Sequence, residues 1–225
     1  MKASLSLDPI KAALLCIDLQ EEHRGDPRLL AMDYDRVLAN VVRLQEAARA
    51  AGVPVLHFAY VVDAAARRPF HPVLADGRSY FSDKDDPLTA ICPEVAPLGD
   101  EPLLIKSEAS AFGDGRLAAL LRERGVEWVF VAGVWTEACI DATVKHAVAT
   151  GLRVVLVKDA CGSGSVAMHQ TGILNLANRL YGGAVADTGS ASRLMAGETV
   201  QAWMVEGAVP LRFTYENAAE LYAGL

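Results

Sequence analysis

Six short apolar runs, separated by longer stretches of helical period, constrain this chain more than any other feature. They are Ala12 to Ile17, Val53 to Val62, Leu103 to Ile105, Trp128 to Ala132, Val154 to Val157 and Ala184 to Ala186. Rich in Val, Leu and Ile and with little polar alternation, they have the look of strands covered on both faces. Between the first two, Val37, Val41, Leu44 and Ala48 recur at helical spacing, and Gly52 is placed to stop the helix. Asp114 to Gly125 and Thr136 to Gly151 repeat the arrangement. The alternation predicts an α/β fold: a three-layer α/β/α sandwich around a mostly parallel six-stranded sheet, Rossmann-like in outline. At 225 residues the chain reads as one domain, 1–225.

Two segments depart from that rhythm. Residues 63–100 hold Pro69, Pro72, Pro87, Pro93 and Pro97, half of the ten prolines, among mixed charges. A polar insertion after the carboxyl end of a strand reads as a lid or substrate loop, with a plain surface excursion as the other reading. The C-terminal extension at about 197–225 carries Trp203, Met204, Val205 and Phe213, and is expected to cover a sheet edge or meet another subunit.

Charge narrows the function classes. With 21 Lys and Arg against 28 Asp and Glu the net charge is -7, and no basic run exceeds Arg67-Arg68, so neither nucleic acid nor an anionic membrane is an expected partner. The opening apolar stretch is broken by Asp8, Pro9 and Lys11, which predicts no signal peptide. No apolar run approaches the ~20 residues of a membrane helix. A cytoplasmic location is the expectation. Cys16, Cys92, Cys139 and Cys161 lack paired spacing, which leaves packing or nucleophilic chemistry rather than a disulfide framework or a zinc cage.

Three residues stand where chemistry gathers in open parallel sheets, at the carboxyl ends of strands. Asp18 ends the first run in LLCIDLQEE, and Lys106 ends the third in LLIKSEASAF. Cys139 follows the fourth in AGVWTEACIDATVKHA, with Thr136 as the expected helix N-cap. In the first turn of a helix, the positive end of the dipole is expected to lower the thiol pKa, with Lys106 assisting, and the free amides can hold an oxyanion. Each residue alone also suits a structural role: a capping Asp, a Lys leaving the sheet for water, a small buried Cys.

Together, the strand-end Asp, the Lys followed a few residues on by SAF, and the GVxTxxC turn resemble the cysteine-hydrolase branch of the isochorismatase-like family, over about Lys11 to Thr188. The resemblance implies a cysteine-dependent amidohydrolase that cleaves a C–N bond of a small amide, carbamoyl or ureide through an acyl-enzyme. It implies a triad of Asp18, Lys106 and Cys139, a cis peptide at Val134 to Trp135, and an oxyanion hole from the amides of Trp135 and Cys139. Gln20, Phe112 and Trp135 are expected on the substrate pocket wall, and a homo-oligomer, dimer or tetramer, is expected.

Departures from the family pattern are as telling. The family run DxQxDF reads Asp18-Leu19-Gln20-Glu21-Glu22-His23 here, so its DF part is missing. Trp135 stands where a small residue or threonine is common. The metal-binding Asp-x-His of related nicotinamidases falls on Ala59 and Val61, so no metal and no cofactor is expected. Vinyl-ether hydrolysis of the isochorismatase type is the alternative within the fold, and Cys139 speaks against it. From another class, Gly162-Ser163-Gly164-Ser165-Val166-Ala167 fits the pattern of a dinucleotide-binding turn, but after the fifth strand instead of the first, so a tight turn at the active-site rim is expected. A silent scaffold that binds a partner through its apolar tail is a third reading.

Overall fold

The computed structural model describes residues 1–66 and 68–225. Among these residues eight strands form one sheet: β1 (Lys2–Leu5), β2 (Ala12–Ile17), β3 (Val55–Tyr60), β4 (Leu103–Lys106), β5 (Trp128–Val134), β6 (Arg153–Gly162), β7 (Ala184–Ala186) and β8 (Val200–Trp203). Their order is β1-β8-β7-β6-β5-β2-β3-β4, parallel from β7 to β4. All six expected strands are present. The sheet is wider than expected because β8 pairs antiparallel with β7 and β1 pairs antiparallel with β8.

Those two strands escape an apolar-run search for a physical reason. Of β1 only Leu5 is buried, and β8 alternates, with Gln201 exposed between Val200 and Ala202. Strands at an antiparallel sheet margin need one dry face at most. The extension after Gly197 thus covers the edge of β7, and Trp203 is buried there.

Among the described residues seven α-helices follow in chain order: α1 (Glu22–Gly25), α2 (Tyr34–Ala51), α3 (Arg116–Glu123), α4 (Asp141–Ala149), α5 (Val166–Ala177), α6 (Thr188–Met195) and α7 (Ala218–Ala223). In β2 all six side chains are buried, and they alternate between two cores. Leu14 and Cys16 join Val37, Val41, Leu44 and Ala48 of α2 and Leu194 of α6. Leu15 and Ile17 join Leu117 and Leu121 of α3, Val144 of α4 and Ile173 of α5 on the other face. Gly52 ends α2 in the left-handed region, as its place in the sequence predicts. No helix among the described residues is long and apolar enough to cross a membrane.

One close approach sets the geometry where the site begins. A Cβ at Gly133 would stand 2.0 Å from the carbonyl oxygen of Ile17, and its φ is +128°, so only glycine allows β5 to press against β2 beside Asp18.

Candidate active site

The carboxyl ends of β2, β4 and β5 bring Asp18, Lys106 and Cys139 to one point. Lys106 Nζ lies 2.7 Å from Asp18 Oδ2 and 3.4 Å from Cys139 Sγ. The same ammonium donates to the carbonyls of Glu108 at 3.0 Å and Ala109 at 3.2 Å. An ammonium has three N–H bonds. Two hold the loop after β4, and one is left to face the carboxylate and the thiol.

Asp18 and Lys106 are both buried, whereas Cys139 is partly exposed. Lys106 meets Asp18 as an ion pair off the hydrogen-bonding direction, so both carboxylate oxygens are buried without an aligned donor. Burial pushes the Asp18 carboxyl above its ordinary range, against the pull of Lys106. Cys139 also moves upward: burial raises the thiol most, the Asp18 charge adds to it, and Lys106 opposes both. This overturns the expected lowering. A helix terminus and one lysine do not outweigh desolvation with a carboxylate alongside.

The turn that carries the cysteine also differs in detail. Thr136–Ile140 form a π-helical turn that runs into α4, and its N-cap is Trp135, not Thr136. The Thr136 hydroxyl instead donates to Gly162 O at 2.9 Å and lies 2.8 Å from His169 Nδ1. The amides of Ala138 and Ile140 both donate to Trp135 O. The peptide between Val134 and Trp135 is cis.

Above the thiol opens a cavity of about 320 Å³. Of the three residues expected on its wall, Trp135 and Gln20 are there and Phe112 is not. Phe112 is buried under α3 and stacks on His146 with ring centroids 5.1 Å apart. The amide of Ala111 donates to Thr143 Oγ1, which ties that stretch down to α4 and faces Phe112 into the core. Gln20 lines the cavity, but its carboxamide is spent as a strut: Nε2 donates to Tyr60 O and Thr89 O, and Oε1 accepts from Tyr60 N.

Residues 68–100 return across the sheet end and add Phe81 and Ser82 to the wall. The Ser82 amide donates to Glu22 Oε2 at 2.8 Å, and its hydroxyl donates to Glu22 Oε1. Glu22 and His23, the pair that replaces the family's DF, both line the cavity, and Trp135 Nε1 donates to His23 Nδ1 at 3.2 Å. The departure from DxQxDF was the one signal in the sequence that could have pointed to them.

The glycine turn after β6 serves the same wall. A Cβ at Gly164 would stand 2.5 Å from the Trp135 indole, so the space a nucleotide pyrophosphate would need is filled by that ring. Ser165 caps α5 by accepting from Met168 N. As for metal ligands, Ala59 and Val61 have no donor atom to offer. Glu21, Cys92 and Glu94 do converge, but the Arg24 guanidinium bridges the two carboxylates.

Residues 12–190 match the Isochorismatase domain family. The chain belongs to the isochorismatase family, and it is a hydrolase. It is 26% identical over 217 residues to the ureidoacrylate amidohydrolase of Acinetobacter baylyi, covering 83% of this chain and 84% of that protein. Identity to the maleamate amidohydrolase of Pseudomonas putida is 36% over 100 residues, 44% of this chain and 46% of that one. Among solved structures, the cysteine hydrolase of Pseudomonas syringae pv. phaseolicola superposes with a TM-score of 0.76 at 22% identity, covering 85% of this chain and 95% of that chain. That last likeness is one of fold. It matches the α/β architecture with a mostly parallel sheet between helices.

Proposed function

We propose that this isochorismatase-family hydrolase cleaves a C–N bond of a small amide, carbamoyl or ureide through a covalent acyl-enzyme on Cys139. The observation that carries the reading is the meeting of Asp18, Lys106 and Cys139 beneath the cavity. The names of its amidohydrolase relatives support the reaction type.

Asp18 takes the thiol proton as Sγ attacks the carbonyl carbon, so an S–C bond forms while the carbonyl π pair moves onto oxygen. The amides of Trp135 and Cys139 receive that oxyanion. Protonated Asp18 then gives its proton to the departing nitrogen, the C–N bond breaks and the amine leaves. Water attacks the thioester with Asp18 as its base, and the acid departs as the proton returns to sulfur. Lys106 keeps the carboxylate charge balanced throughout. A resting thiol that is neutral suits this sequence, because the proton leaves only when the carbonyl is in place. In this reading residues 63–100 act as the substrate-covering loop, through Phe81 and Ser82.

The test joins two measurements. Ammonia or amine release is expected from at least one member of a panel of small amides and ureides. Limiting iodoacetamide is expected to label Cys139 first, with peptide mass mapping as the readout. A first adduct on Cys16, Cys92 or Cys161 would sink the assignment.

A further inference from the structure

The floor of the cavity accounts for bond cleavage, but its upper wall is chemically specific too. Glu22 is buried, at 4% exposure, and lines the same cavity as the rings of Tyr60, Phe81 and Trp135. Ser82 supplies one donor to each Glu22 oxygen. A carboxylate has about four lone-pair sites, so two donors leave acceptor capacity on both oxygens.

Among the described residues no lysine or arginine pairs with Glu22; its ion-pair neighbour is His23, with Nε2 3.9 Å from Glu22 Oε1. Among the described residues the one basic side chain on the wall is His23, whose imidazole burial holds below its ordinary pKa, so it is neutral at neutral pH. Lys106 is committed to Asp18, Cys139 and two carbonyls, and its ammonium already covers one face of the Tyr60 ring, 4.6 Å from the centroid. Among the described residues the wall therefore offers a carboxylate and aromatic rings, and no lysine or arginine. That combination attracts an ammonium through charge-assisted hydrogen bonds and ring faces together. A ligand carboxylate would meet like charge in a poorly solvated space.

We infer that Glu22 and the surrounding rings form a cation subsite, so that the cavity takes an amide whose far end carries an ammonium or similar cationic donor and turns away amides ending in a carboxylate. The inference rests on the amide-hydrolase reading for its substrate class, and binding can be measured apart from turnover.

Three amides of nearly equal shape make the probe: 4-aminobutanamide, pentanamide and glutaramate, which end in an ammonium, a methyl and a carboxylate. Binding to Cys139→Ala protein is measured by calorimetry at pH 8. The ammonium compound is expected to bind about tenfold or more tighter than the carboxylate one, with the methyl compound between. Adding Glu22→Gln should collapse that ratio toward one. Equal or tighter binding of glutaramate, no binding of any of the three, or a ratio that Glu22→Gln leaves intact would overturn the subsite. If Glu22→Gln does not fold once its bonds to Ser82 are weakened, Glu22→Asp and the ligand order with Glu22 unaltered still decide. Ammonia release by the unmodified enzyme runs in parallel. Turnover without cation preference defeats the subsite alone, and cation preference without turnover of any amide defeats the hydrolytic reading alone.

Discussion

The ends of β5 and β6 run side by side, with Gly133 against Cys161 and Val134 against Gly162, and each leads to a thiol with a different fate. Cys161 is buried within its strand, its Sγ 3.8 Å from the carbonyl of Val131. Cys139 sits one turn beyond its strand, partly exposed, with Lys106 and Asp18 beside it. Burial is the largest influence on both thiols and pushes both upward. Resting acidity therefore does not separate them. Cys161 too borders a cavity, of about 150 Å³, so what separates them is that the cavity of about 320 Å³ over Cys139 also holds a neighbouring base with unused lone pairs.

The largest break in that comparison comes from Cys139→Ala, expected to lower kcat/KM by about 10⁴-fold or more while substrate binding persists, because the nucleophile goes and the pocket stays. Asp18→Asn is expected to cost about 10²- to 10⁴-fold, the range of a lost general base, and to slow alkylation of Cys139 as well. Stopped-assay rates, calorimetric binding and alkylation kinetics separate the two. If Cys139→Ala turns over like the unaltered enzyme while Asp18→Asn is dead, the cysteine is structural and the chemistry is non-covalent.

The same contrast explains what could be read from the chain. Asp18, Lys106 and Cys139 were legible because strand ends are marked by where apolar runs stop, and the fold sends those ends to one edge. Phe112 was misplaced because its neighbours in sequence lead to the site, while Ala111 N, bonded to Thr143, turns the ring into the core. Glu22 and Ser82 meet across 60 residues, and no local pattern announces such a bond. The direction of the thiol pKa failed in the same way. The helix turn is local and visible in sequence, whereas burial and the approach of Asp18 exist only after folding. β1 and β8 were missed because a covered edge needs few apolar residues.

A smaller effect sharpens the role of the base. Asp18 must be ionised to accept a proton, and burial holds its carboxyl above the ordinary aspartate range. Protonation on acidification removes the acceptor, so kcat/KM is expected to fall with decreasing pH through a midpoint above the ordinary value of about 3.9. Lys106→Met removes the charge that opposes this rise and should move the acid limb to higher pH still. With the thiol pushed up, no climb in rate is expected through the usual cysteine range near pH 8.5. A rate that rises there would mean that free thiolate, formed without Asp18, is the attacking species.

The smallest expected effect falls on the other thiol. Cys161→Ala deletes a single heavy atom from the core beneath α5, where Ile173 and Leu174 also lie. The loss is one sulfur's worth of burial plus a small void, about 1 kcal/mol, near the lower end for truncations in a packed core. In a chain of this length that corresponds to a fall in Tm of about 2–4 °C. Turnover should be retained at temperatures well below the transition, because Cys161 touches neither Asp18 nor Lys106 and lies off the wall of the cavity over Cys139. Calorimetry and the ammonia assay on one preparation read both numbers. Loss of activity with Tm unchanged would show that the end of β6 shares in the chemistry, and the distinction between the two thiols would then rest on exposure alone.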